Sequence, residues 1–305
     1  MIQKDKKSKF KPERLRLTLI FIPFLILIIL FKYVPIGGWI LSVYRYKVGI
    51  PLFENEFVGL YNFKMIFQQW DKMWEVLKNT FVISGLNVLF SPFPVIFAIL
   101  LSEIRSMKFK KLVQTFTTIP HFVSWVIIYS LAFALFSTDG VMNTILIGLG
   151  LRERPANLLT NGEAVWIFQA LLNLWKNFGW NAILYFAAIS GIDTELYDAA
   201  SVDGANRFQK ILHITVPGIT NTYFTLLLLN ISNFLNNGMD QYLSFYNSVT
   251  AEKIMVLDLY TYRLGLIAND YSFATAVSVL KTFVSLVLLF SANFASKKIR
   301  GYTIV

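Results

Sequence analysis

Six stretches of this 305-residue chain run for 24 residues or more with at most one charged side chain each. They are Leu17 to Tyr44 (with Lys32), Asn79 to Ser102, Leu112 to Thr138, Ala164 to Ile192 (with Lys176), Ile214 to Met239 and Tyr271 to Ser296 (with Lys281). A helix needs about 20 apolar residues to cross the hydrocarbon core of a bilayer. Each stretch is long enough. A membrane barrel would instead show segments of about ten residues alternating apolar and polar, and these runs do not alternate. The pattern predicts an all-α integral membrane protein with six transmembrane helices. Only 15% of residues are charged, against about 25% in soluble domains, which excludes an ordinary soluble enzyme and a disordered chain.

Basic residues set the orientation, because cytoplasmic loops accumulate Lys and Arg. An even span count puts both termini on one side. If that side is the cytoplasm, segments 1–16, 103–113, 191–219 and 296–305 hold 16 Lys or Arg in 66 positions. The opposite segments, 38–78, 138–163 and 241–273, hold 9 in 100. Both termini are therefore expected inside. The excess charge of +10 serves topology rather than nucleic-acid binding, since it has no continuous soluble face. The expected organisation is a basic cytoplasmic N-terminus (1–16) and a retained first span (17–44). An extracytoplasmic loop (45–78), a five-helix core (79–296) and a cytoplasmic tail (297–305) follow.

Several chemistries are excluded by what the chain lacks. Without cysteine there is no disulfide framework, thiolate metal site or cysteine nucleophile. His121 and His213 are too far apart for a local metal motif. No G-x-x-x-x-G-K-[ST] loop is present to hold ATP phosphates, and Gly148-Leu-Gly150 lacks the third glycine of a dinucleotide fingerprint. The spans carry no carboxylates, the usual buried acids of ion-driven carriers. If a solute moves, the energy comes from another subunit.

The most informative loop is 193–217, between the fourth and fifth stretches. Asp193 or Thr194 can cap a short helix, and Glu195 in its first turn complements the positive helix end. Leu196, Ala199, Ala200 and Val202 give a small, partly apolar surface. Gly204 suits a helix-ending position of positive φ. Phe208, Ile211 and Leu212 fall on one face of a second helix, away from Arg207 and Lys210. Pro217 fits the first turn of the next span. The expected product is a helix–turn–helix knob.

This segment resembles the signature loop of the membrane subunits of ATP-binding-cassette importers: E-A-A, three residues, G, nine residues, I-x-L-P. Here it reads Asp198-Ala199-Ala200, three residues, Gly204, nine residues, Ile214-Thr215-Val216-Pro217, with Asp for Glu and Val for Leu. Three further segments are similar to the polysaccharide and oligosaccharide branch of that family: Phe57 to Phe63, Ile119 to Trp125 and Val256 to Leu266. The resemblance covers nearly the whole chain and implies a MetI-like permease fold. It also implies that Glu195, Asp198, Ala199, Ala200, Gly204, Phe208, Ile214 and Pro217 form a coupling helix seated on a separate ATPase. The implied partners are a second homologous permease, an ATPase dimer that binds ATP and Mg, an extracytoplasmic solute-binding protein, a carbohydrate substrate and the lipid bilayer. The chain itself is expected to carry no cofactor, metal or catalytic residue.

Amides cluster on two stretches. Gln169, Asn173, Asn177 and Asn181 follow one another at intervals of four, with Trp175, Lys176 and Trp180 nearby. Asn230, Asn233 and Asn237 follow at helical spacing on the fifth stretch. Amides can bind neutral hydroxyls, and aromatic faces stack on sugar rings, so Asn173, Asn177, Trp180, Asn230, Asn233 and Asn237 are candidates for the solute path. The alternative role is hydrogen bonding between helices. Lys176 or Lys281 facing the path would suit an anionic sugar. A competing function, a membrane enzyme acting on lipid-linked sugars, would need paired carboxylates or a metal constellation.

Overall fold

The computed structural model describes residues 12–300; the basic segment 1–11 and the last five residues, with the charged ends read there, lie outside the described residues. Helix α1 (Pro12–Ile28) runs on through a π turn (Ile29–Tyr33) and a 3-10 segment (Val34–Val43). Pro35 cannot donate to the ladder and its ring crowds the carbonyl four residues back; the widened π turn just before it accommodates that defect. The α1 side chains from Thr18 to Ile28 are all exposed, as expected for a surface facing lipid.

Segment 45–78 is not a plain loop. A two-stranded hairpin, β1 (Tyr44–Arg45) and β2 (Glu56–Phe57), pairs Tyr44 with Phe57 and Arg45 with Glu56. Helix α2 (Tyr61–Gln68) follows it. Helix α3 (Trp70–Phe90) and α4 (Pro92–Ser102) form one long rod, entered nine residues before the expected Asn79.

The third expected span is two helices. Helix α5 (Met107–Phe122) stops at Val123, and α6 (Trp125–Phe136) starts again under a cap from Ser124, whose Oγ accepts the Ile127 N–H. Helix α7 (Val141–Gly148) then leads to α8 (Val165–Ser190), an unbroken helix over the fourth stretch. Beyond it come α9 (Thr194–Val202), α10 (Arg207–Lys210), a π turn at Ile211–Thr215 and α11 (Val216–Ser232). Short helices α12 (Asp240–Ser244), α13 (Ala251–Ile254) and α14 (Leu257–Tyr262) precede the closing helix α15 (Tyr271–Arg300).

The fifth stretch also departs from expectation. Its helix ends at Ser232, and Asn233 to Gly238 turn back instead of continuing the span. Gly238 has φ +78°, a backbone conformation that glycine adopts without a Cβ penalty.

Among the described residues, five helical segments are long and apolar enough to cross a membrane: Thr18–Val43, Trp70–Ser102, Trp125–Gly148, Arg207–Ser232 and Tyr271–Lys298. Helix α8 is long enough but too rich in amides to join them by composition. The main core gathers α2, α3, α6, the start of α8 and the short helices before α15 around Ile83, Ile128, Leu235, Tyr242 and Leu259. A smaller cluster, Ala98, Ala182 and Tyr185, joins α4 to α8.

Candidate functional site

The loop after α8 folds as two capped turns. Asp193 Oδ1 accepts the Glu195 N–H at 3.0 Å, opening α9. Gly204 closes it at φ +76° with open space around its Cα. Asn206 and Gln209 then form a reciprocal capping box that opens α10. The knob is fixed at its base, where Tyr197 Oη meets Thr215 Oγ1 at 2.9 Å and the Arg207 guanidinium bridges Glu103 at 3.3 Å. Its outer surface carries apolar side chains: Leu196, Val202 and Phe208 are 54%, 89% and 69% exposed. Asp198 and Ala199 are exposed beside them, Glu195 is exposed, and Ala200 and Ile214 are half-buried. Pro217 lies in the first turn of α11, within a continuous rod from Arg207, and the preceding π turn makes room for its ring.

A cleft of about 280 Å³ lies between α3, the start of α4, α8 and α11. Its polar lining includes Ser84, Asn87, Ser91, Asn173, Asn181, Asn230, Asn233 and Asn237. Four of the six candidate path residues thus share one cavity: Asn173, Asn230, Asn233 and Asn237. They reach it differently from the expected stripe, because Asn233 caps the end of α11 and Asn237 sits in the turn beyond. Asn237 Nδ2 donates to Ser84 Oγ at 2.8 Å, and Asn233 Nδ2 donates to the Leu229 carbonyl at 2.9 Å. Asn230 has no intramolecular hydrogen bond from its side chain among the described residues.

Asn177 and Trp180 fall outside the cleft lining. Asn177 Oδ1 is hydrogen-bonded to His121 Nδ1 at 2.9 Å, and the Trp180 ring stacks parallel to His121 at 4.4 Å. Both join α8 to α5. Gln169 is fully buried and accepts from Gln241 Nε2 at 2.8 Å, so it joins helices too. Neither lysine lines the cavity. Lys176 donates to three backbone carbonyls at the end of α5. Lys281 pairs with Asp258 of α14, whose other oxygen accepts the Gly238 N–H at 2.8 Å. That carboxylate therefore fixes the turn holding Asn237 as well as neutralising a charge in the last helix. Beside it, burial holds the Tyr242 phenol well above the usual tyrosine range, so it stays neutral.

Ser84, Asn87 and Ser91 are cleft residues that composition alone does not single out, being isolated polar positions in an otherwise apolar run. Their interval of three to four residues is the available signal: it places them on one helix face.

A polytopic helical protein with apolar spans, a polar cleft between its helices and a protruding helical knob has the parts of a transport subunit. Residues 90–300 match the family model of the binding-protein-dependent transport system inner membrane component, and the chain belongs to that family. Protein LplB of Bacillus subtilis (strain 168) is 37% identical over 284 residues, covering 92% of this chain and 88% of its own. The polygalacturonan/rhamnogalacturonan transport system permease protein YteP of the same organism is 36% identical over 303 residues, covering 98% and 94%. A solved bacterial alginate transporter, in complex with its alginate pentasaccharide-bound periplasmic protein, superposes with a TM-score of 0.85 at 33% identity. It spans 96% of this chain and 97% of the other. The chain is thus an inner-membrane transport subunit rather than an enzyme.

Proposed function

We propose that this chain is one permease of an ATP-driven importer for an oligosaccharide or polysaccharide fragment, working beside a second homologous permease. The observation that carries the reading is the amide- and hydroxyl-lined cleft, with chemistry suited to sugar hydroxyls, in a chain whose relatives carry sugar names. An extracytoplasmic binding protein delivers the solute. Two ATPases, which hold ATP and Mg, receive the α9–α10 knob through Leu196, Ala199, Val202 and Phe208, and Asp198 pairs with a basic group there. ATP favours one global state and released solute another, and that difference couples hydrolysis to transport. In this reading α8 is a sixth span, both termini lie in the cytoplasm, and the lysines' engagement elsewhere leaves hydroxyl recognition as the cleft's main device.

The test is copurification followed by reconstitution. The chain should bring down an ATPase and a second permease, and proteoliposomes of the complex with its binding protein should accumulate oligogalacturonates or neutral oligosaccharides on ATP addition. Isolated, the chain should neither bind nor hydrolyse ATP. Uptake that persists without any ATPase would sink the reading.

A further inference from the structure

Helix α5 ends at Phe122 and α6 begins at Trp125; between them Val123 (φ −78°, ψ 133°) and Ser124 (φ −65°, ψ 152°) are extended. Interrupting a helix inside an apolar run leaves carbonyls without their helical donors. Lys176, in the middle of α8, supplies donors. Its ammonium reaches the carbonyls of Pro120 at 3.1 Å, His121 at 2.7 Å and Val123 at 2.5 Å. It also lies 5.4 Å from the centre of the Trp125 ring. One cation therefore holds the end of α5 and the start of α6 together, and its charge meets the negative end of the α5 dipole.

The same two turns of α8 grip α5 in other ways. At Gly179 the backbones touch so closely that a Cβ would fall on the backbone of Thr117 and Thr118. His121 is bonded to Asn177 and stacked on Trp180. No side chain of α5 is itself buried, so this grip is its main attachment there. At its opposite end, the turn before α5 meets the knob through Glu103 and Arg207, whose Nη2 donates to the Glu103 carbonyl at 2.9 Å. Beyond the break, α6 buries Ile128 and Ala132 in the main core with α12 and α14.

We propose that Lys176 is a positioning residue that makes α5 and α6 one rigid elbow, delivering displacement of the α9–α10 knob to the core around α6. The inference rests on the coupling reading of that knob.

The test uses the whole complex in lipid nanodiscs, with nitroxides on cysteines at Phe109 of α5 and Phe133 of α6, both exposed. In the wild type the label separation should be single and the same without nucleotide and after MgATP–vanadate trapping. Lys176→Met should broaden or shift it on trapping, and should lower oligogalacturonate accumulated per ATP hydrolysed about tenfold. Lys176→Arg, which can still donate to the carbonyls, should restore both. If Lys176→Met does not assemble, Trp125→Phe, which keeps an aromatic ring packed on the main core but weakens the contact with the ammonium, carries the test with a smaller shift in the same direction. A separation that changes in the wild type overturns the elbow. So does an unchanged separation with normal transport per ATP in Lys176→Met, or in Trp125→Phe where that variant stands in. A wild-type complex that hydrolyses ATP without moving any sugar would refute the importer reading instead, leaving the distance measurement to judge the elbow alone.

Discussion

Gly204 shows how much a single backbone angle can carry. It sits at φ +76°, and a Cβ at this position would meet nothing within 4 Å. Substitution is thus penalised by the left-handed conformation and not by crowding within this chain. Gly204→Ala should therefore cost roughly 1 kcal/mol locally. The six apolar stretches should still insert, because none of their residues changes. Gly204→Val adds bulk on the face proposed to meet the ATPase. It should reduce ATPase copurification more than Gly204→Ala, with a somewhat lower thermal stability of the isolated chain because a β-branched residue tolerates positive φ less well; equal retention of ATPase by both would argue against a close-fitting contact. Asn230 and Asn237 separate recognition from structure in the same way. Asn230→Leu removes an amide with no intramolecular partner among the described residues, so sugar uptake should fall several-fold with the melting temperature unchanged. Asn237→Leu also breaks the bond to Ser84, and should cost about 1 kcal/mol of stability. If the two variants behave alike in a melting assay, the two amides do not divide recognition and structure between them.

At the scale of elements, the parts written in local chemistry are legible in the sequence and the parts fixed by distant contacts are not. The knob is readable because Asp193, Glu195 and Gly204 act within a few residues of themselves. The break after Phe122 is not, because Leu112 to Thr138 is uncharged throughout and so reads as one span, although the run before the break is much less apolar than the run after it. Pro120 and the capping residue Ser124 are its other local marks. The role of Lys176 is unreadable in principle, since its partners are carbonyls more than 50 residues away. The early end of α11 is signalled by Asn236-Asn237-Gly238, a turn sequence that the helical spacing of the amides masks. Asp258 joins three elements, and its removal tests that joint. Asp258→Ala leaves Lys281 without its counterion; with both side chains still 14% and 18% exposed, the cost should be roughly 3 kcal/mol, near the low end for breaking a buried pair. Asp258→Ala with Lys281→Met should recover much of that loss. A double-mutant cycle in denaturant checks the coupling, and additive losses would show that the pair is incidental.

For the whole molecule, the number of membrane crossings turns on α8. Its 26 residues span about 39 Å at 1.5 Å each, more than the roughly 30 Å hydrocarbon core. One face is apolar and exposed, through Ile167, Leu171 and Trp175. The other carries Gln169, Asn173, Asn177 and Lys176, whose polar groups are bonded to neighbouring helices and to one another. A helix buried by protein on its polar side can cross a bilayer despite a low mean hydropathy, and the six-span reading proposed above has it do so. The chain has no cysteine, so single cysteines at Glu54, Lys108, Glu153 and Asp203 can each be labelled in intact cells with a membrane-impermeant maleimide. Glu54→Cys and Glu153→Cys should react from outside, whereas Lys108→Cys and Asp203→Cys should react only after permeabilisation. The pair flanking α8 is decisive: Glu153 and Asp203 on the same side would leave α8 uncrossed and five spans in all. The knob would then face away from any cytoplasmic ATPase, and the coupling role proposed for Leu196, Val202 and Phe208 would fall with it.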